Sequence, residues 1–246
     1  MSRLASIPED RTRDDPLAGT LPDWWAAVYD HVFIALHPLT EAPDDPEAAD
    51  LDWYAHTAQA TNRSWSAVAR DLGGCDFGDF VLALLFARNG MTSRSRRPGM
   101  RPVADDGLIE RLAALAECDR LSWPWDSSPS PALWPAFAAT FVNQGAREVT
   151  AWSEFRESSA NLTVDALAAG AVGSLPFGPY AFQSHTPAIL VTASFDHMWT
   201  LIALTNEGRS RFDPATHFEG FWAGPSTSAK WINEPGTYDP LAGWPQ

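Results

Sequence analysis

Apolar positions along this chain recur in two rhythms, helical in the first half and extended in the second. Ser64 stands as a cap before a helical stretch that runs to Asp71, and Gly73-Gly74 stops it. Asp76 caps a second stretch in which Phe80, Leu84 and Leu85 share one face, and Asn89-Gly90 closes it. Asp106 opens a third, with Leu108, Leu112 and Leu115 on one side and Glu110 and Arg111 on the other. Further helices are predicted near Leu51 to Ala60 and over Leu133 to Gln144, the latter ended by Gly145.

The extended rhythm begins early, with Val32-Phe33-Ile34-Ala35-Leu36 closed by His37-Pro38. Proline disfavours helix at the residue before it, so this run predicts a buried strand. Four more strands are predicted at Arg147 to Trp152, Tyr180 to Ser184, Ala188 to Ala193 and Met198 to Thr205. The last two flank Ser194-Phe195-Asp196-His197, a good hairpin connection. Helices first and strands later predict an α+β fold, a helical N-terminal half packed on a mostly antiparallel sheet from the C-terminal half. The chain reads as one domain over residues 1–246. Residues 1–23 form a polar arm, and residues 223–246, rich in Gly, Pro and Trp, form an irregular wrapping tail.

Composition narrows the partners. An apolar fraction of 45% with 20% charged residues in a 246-residue chain is globular and can bury a sizeable core. A formal net charge of −14 argues against a surface that neutralises phosphates, so neither nucleic acid nor an anionic membrane is expected as a partner. No stretch approaches the roughly 18 apolar residues of a membrane span, and the N-terminus lacks the apolar segment of a secretion signal. A cytoplasmic location is therefore expected. Sixteen of the 17 basic residues are Arg, with Lys230 the only lysine, which reads as coding bias and weakens arginine as a site marker. Cys75 and Cys118 form no CxxC pair and read as buried free thiols.

The chain has no GxxxxGK[ST], no GxGxxG after a strand, no HExxH and no GxSxG. His31, His37, His56, His185 and His217 contain no i, i+4 pair, so no metal and no cofactor are expected. Two sets of residues carry the remaining chemistry. In Trp152-Ser153-Glu154-Phe155-Arg156-Glu157 a glutamate between aromatic residues could hold a raised pKa and move protons, while Arg156 fixes an anionic substrate group. The plain reading is a Glu–Arg surface pair. Asp196-His197 reads either as an acid–base pair or as a turn Asp beside a surface His. Twelve tryptophans, Trp152, Trp199 and Trp125 among them, make an aromatic-lined cavity credible, with Phe155 beside them.

Three stretches together resemble a bacterial family of uncharacterised cytosolic proteins, a domain of unknown function. They are His31-Val-Phe-Ile-Ala-Leu-His-Pro38, Ser64 to Gly90, and Thr192-Ala-Ser-Phe-Asp-His-Met-Trp-Thr-Leu-Ile-Ala-Leu-Thr205. The resemblance implies a soluble bacterial α+β protein and, because the family carries no established activity, no residue role.

These readings converge on a cofactor-independent enzyme doing acid–base chemistry on a small aromatic or amine metabolite, amino-acid-like in character. The reaction class is condensation or cyclisation, of a biosynthetic kind, and a homo-oligomer fits such an enzyme. Glu154 is the expected base or acid, Arg156 the anchor, and His197 or His185 the accessory, with Trp152, Trp199, Trp125 and Phe155 against the substrate. The alternative is an acidic binding protein, such as an immunity or antitoxin factor, that neutralises a basic protein partner through the acids of Glu41 to Asp52.

Overall fold

The computed structural model describes residues 20–25, 28–41, 53–90, 105–124, 128–153, 157–173, 175, 178–185, 188–193, 197–225, 227 and 244, with the backbone alone for Trp24, Trp25 and Trp53. Arg94 to Arg101 and the acidic segment past Glu41 lie outside the described residues. In chain order the elements are α1 (Leu21–Trp25), β1 (His31–Leu36), β2 (Leu39–Glu41), α2 (Trp53–Ala58), β3 (Asn62–Arg63), α3 (Trp65–Asp71), α4 (Phe77–Arg88) and α5 (Asp106–Cys118). Then follow β4 (Leu121–Ser122), a 3-10 turn at Pro131–Leu133, α6 (Trp134–Asn143), β5 (Glu148–Trp152), β6 (Ser159–Thr163) and α7 (Val164–Ala168). The chain continues through β7 (Ala181–Gln183), β8 (Ile189–Ala193), β9 (Trp199–Leu204), α8 (Asn206–Arg211), a 3-10 turn at Pro214–Thr216 and β10 (Gly220–Trp222).

Seven strands form one sheet in the order β10-β1-β9-β8-β7-β5-β6, and every neighbouring pair is antiparallel. A smaller sheet, β3-β2-β4, lies apart from it. The α+β expectation holds, with one change of emphasis. β1, from the N-terminal half, does not sit beside the C-terminal sheet but inside it, between β9 and β10.

Both faces of the sheet are covered. Val32, Ile34 and Leu36 of β1 join Trp199, Leu201 and Ala203 of β9 in one core with Trp65 and Val68 of α3, Phe80 and Leu84 of α4, and Leu108 and Leu112 of α5. Phe33 and Ala35, with Val191 and Ile202, face the opposite way and pack on Trp134, Phe137 and Phe141 of α6 and Leu167 of α7. This double burial explains the unbroken apolar runs of β1, β8 and β9, since a strand covered on both faces needs no polar side. Burying each large side chain here contributes on the order of 1.5–3 kcal/mol.

Coverage stops short of one edge. The residues of β5 and β6 that share a face with Trp199 are Glu148, Thr150 and Trp152, then Ser159, Asn161 and Thr163. Of these only Thr150 and Trp152 are even partly buried, and Thr150 Oγ1 donates to Asn161 Oδ1 at 3.0 Å. The helical layer α3–α5 therefore covers β10, β1 and β9, while β5 and β6 leave a polar shelf on that face. β6 escaped prediction because Ser-Ala-Asn-Leu-Thr is a half-exposed edge strand with one buried leucine, Leu162.

The predicted helix boundaries are met closely, and their caps explain why. Ser64 Oγ accepts from the Ala67 N–H at 3.2 Å, and Asp76 Oδ1 from the Gly78 N–H at 2.8 Å. α5 opens at Asp106 as expected, and Asp105 before it is the cap: its Oδ1 accepts from the Gly107 N–H at 2.6 Å. Leu21, inside the stretch read as a polar arm, is buried, and its N–H donates to the Thr227 carbonyl at 2.8 Å. From the C-terminal tail, the Trp244 indole N–H donates to the Cys75 carbonyl at 2.7 Å, and its ring meets Phe77 and Phe80 edge-on.

Helix α3 is also tied to the sheet by an acid far along the chain. Glu219, just before β10, accepts from the Trp65 N–H at 2.5 Å and the Ser66 N–H at 2.7 Å. With Ser64 on Ala67, the three exposed N–H groups of the first turn are all satisfied, and the carboxylate lies at the positive end of the helix dipole. Glu219→Ala should lower stability by about 2 kcal/mol, and Ser64→Ala by about 1 kcal/mol, both read from urea midpoints with unchanged slope. Equal, negligible effects would mean that the α3 cap contributes nothing to the fold.

Candidate functional site

Antiparallel pairing sends β1, β5 and β8 in the same direction, so Leu36, Trp152 and Ala193 end at one margin of the sheet. The chain turns there three times, at His37-Pro38, after Ser153 and after Ala193. The Ser153–Ser158 connection is closed by the Ser153 N–H donating to the Ser158 carbonyl at 3.0 Å. Glu154, Phe155 and Arg156 belong to this connection and, like Trp125 and Asp196, lie outside the described residues.

His197 follows the β8 connection and is the sharpest chemical feature at this margin. Its imidazole lies flat on the Trp199 indole, ring centroids 4.3 Å apart and planes 17° from parallel. His197 is partly buried, because β9 carries Trp199 into the helix-covered core and the stacked imidazole goes partly with it. Burial lowers its pKa from 6.5 to about 4, because the charged ring loses its hydration there. Near neutral pH the imidazole is uncharged.

Trp152 shares the Trp199 face but not its immediate surroundings. Across the strands its row runs Trp152, Ala181, Thr192, Leu201 and Ile34, and Trp199 lies in the next row on β9. Three strand spacings put the two tryptophan backbones about 14 Å apart laterally. They flank a floor made of Ala181 and Thr192, both buried. The Trp152 Nε1–H is itself buried and has no acceptor among the described residues. Thr192 and Ala181 were missed by sequence reading. The strand register, which pairs Ala181 with Thr192 and Trp152 with Ala181, is what reveals them.

His185 is placed elsewhere. It is exposed beyond the end of β7 at Gln183, and Gln183 pairs with Leu190 and Thr150, toward the opposite margin of the sheet. The structure thus brings His197 and Trp199 together, puts Trp152 on their face, and separates His185 from all three.

The other histidines do structural work or stand alone. His37 is fully buried, with Nε2 and Thr200 Oγ1 2.7 Å apart and its carbonyl accepting from the Trp65 indole N–H at 2.6 Å. His56 and His217 are exposed, the latter stacked on Phe212 at 4.9 Å. Among the described residues, no group of three His, Cys, Asp or Glu side chains is placed to hold a metal ion. Nor does any described helix have the length and apolar character to cross a membrane. The expectation of two buried thiols is half corrected: Cys75 is partly buried, whereas Cys118, on the outer side of α5, is exposed. Burial, then Asp79 and Asp76, push the Cys75 thiol up, which makes it a poor nucleophile.

The family model for DUF2711, a protein of unknown function, matches residues 20–233. The chain belongs to the DUF2711 family. The match takes in every element of this DUF2711 fold from α1 to β10, and with them the β8–β9 hairpin and the sheet margin where His197 stacks. Neither a curated protein nor a solved structure matches the chain.

The His197 shift makes stability depend on pH with a definite sign. Its folded pKa, about 4, is below the unfolded value of 6.5. The unfolded chain therefore binds the proton first, and the contribution is fully present above pH 6.5 and lost as pH falls toward 4. The loss should reach about 3 kcal/mol. In urea titrations at pH 7, 5.5 and 4, the stability of wild type should fall relative to His197→Gln as pH falls, by about 3 kcal/mol in all. Parallel curves would show that His197 titrates normally.

Proposed function

We propose that this DUF2711 protein is a cofactor-independent enzyme that performs acid–base chemistry on a small aromatic or amino-acid-like metabolite. Its site is the sheet margin where β1, β5 and β8 end. The observation that carries this reading is the desolvated His197 stacked on Trp199. A neutral imidazole held in a fixed plane donates a hydrogen bond to a developing oxyanion and loses no proton at neutral pH. Trp199 supplies an aromatic wall, and the Trp152 Nε1–H, which has no acceptor among the described residues, supplies a donor across the Ala181–Thr192 floor.

Glu154 and Arg156 complete the reading from sequence. Both belong to the Ser153–Ser158 connection, which leaves the sheet at the same margin. Glu154 is assigned the proton transfer and Arg156 the substrate's anionic group. Bond making in a condensation or cyclisation then needs a base to remove a proton and a donor to hold the oxygen that gains charge. His185, at the other margin, is left out of this constellation.

Native mass spectrometry of the protein from its own host tests the reading. A small adduct, lost on denaturation and absent from His197→Ala and Trp199→Ala, is the expected result. With that ligand in hand, Glu154→Gln should keep binding and lose turnover by about 10²–10⁴-fold. No adduct, together with a stoichiometric basic polypeptide, would refute the enzyme and favour an acidic binding protein, for which a net charge of −14 would speed association.

A further inference from the structure

The opposite margin of the sheet holds a cation that the fold positions and that has no acid partner among the described residues. The guanidinium carbon of Arg209, in α8, lies 4.2 Å from the centroid of the Trp222 ring. Arg209 Nη1 donates to His31 Nδ1 at 3.0 Å, and the same imidazole donates through Nε2 to Asn206 Oδ1 at 2.9 Å. Asn206 is fixed in turn, since its N–H donates to Asp30 Oδ2 at 2.7 Å. The His31 ring meets Trp222 edge-on at 6.0 Å. Three separate elements, β1, α8 and β10, thus converge on one arginine.

Among the described residues no carboxylate pairs with Arg209 itself. The chain has 31 acidic residues against 17 basic ones, so an arginine with no acid is not the default. The two nearby acids are committed elsewhere: Asp30 to the Asn206 N–H, and Glu207 to Arg211 one turn away. Among the described residues Arg209 has no ion-pair partner, and His31 takes one of its five N–H donors. Arg209 is exposed, and β10 is the edge strand of the sheet, so the remaining donors are accessible.

We propose that Arg209, held by Trp222 and His31, is a binding site for the carboxylate group of a small molecule. The indole face fixes the guanidinium plane, and a fixed plane presents two parallel N–H groups with the geometry of a bidentate carboxylate contact. A phosphate dianion shares the oxyanion chemistry but needs further cationic donors. Arg211, the nearest candidate, is already paired with Glu207. The site is independent of the His197 margin, because the two lie at opposite ends of the strands.

The test uses the full-length ¹⁵N-labelled protein and follows the Arg Nε–H and Trp indole signals during titration with acetate, inorganic phosphate or chloride at fixed ionic strength. Acetate should shift the Arg209 and Trp222 signals saturably. Arg209→Gln should abolish the response, and Arg209→Lys should weaken it by about tenfold, because the ammonium cannot form the fork. Unchanged signals from the other indoles would confirm that both variants are folded. Equal shifts with chloride, or a response that survives in Arg209→Gln, would overturn the site. Tighter binding of phosphate than acetate would overturn the carboxylate assignment.

Discussion

The fold depends on one strand arriving from far away. β1 comes from the first sixth of the chain, yet it pairs along its whole length with β9 and on its other side with β10. Remove it, and β10 has no partner in the sheet. Its six residues also feed both cores, Ile34 toward α3–α5 and Phe33 toward α6–α7, so both helical layers pack on it. The close approach at Gly220 shows how tight this insertion is: a methyl group there would collide with the Ile34 carbonyl and the Phe33 ring. Long-range closure of this kind is entropically expensive, and the compensation is that nearly every side chain of β1 is lost to water.

From that constraint the candidate site follows. Once β1 is locked beside β9, its C-terminal end at Leu36 is level with the ends of β5 and β8. His37 is held there by hydrogen bonds from the sheet and from α3: its N–H goes to the Met198 carbonyl, and its own carbonyl takes the Trp65 indole. Glu219 reaches the start of α3 from the same margin. The margin is therefore rigid on its β1 side and open on its β5–β6 side, where helical cover ends and the polar shelf begins. A site of this kind, rigid walls beside an uncovered strip, joins preorganisation to access.

How much of this the sequence disclosed follows from the physics of each element. Helix limits were legible because caps are local: Ser64, Asp76 and Gly145 act on residues within one turn. The buried strands were legible because two-sided burial leaves continuous apolar runs. The arrangement of strands was not, since the pairing of β1 with β9 and β10 is decided by packing of residues more than 160 positions apart. The same limit applied to the site. Trp152 and Trp199 were singled out by type alone, but the Ala181–Thr192 floor between them exists only in the register. His185 was grouped with His197 by residue type, and strand direction parts them.

His197 itself poses a question of economy in physical terms. A phenyl ring in its place would stack on Trp199 and fill the same volume, with no group to desolvate. An imidazole there makes the fold vulnerable to acid, because protonation is opposed by burial. Titratable groups shifted by burial concentrate where chemistry needs them. The argument is strengthened by the contrast with His37, whose ring nitrogen and both backbone groups are used to hold β1, β9 and α3 together. One histidine ties two strands to a helix; the other lies flat on Trp199 as a ring whose charging is opposed by burial.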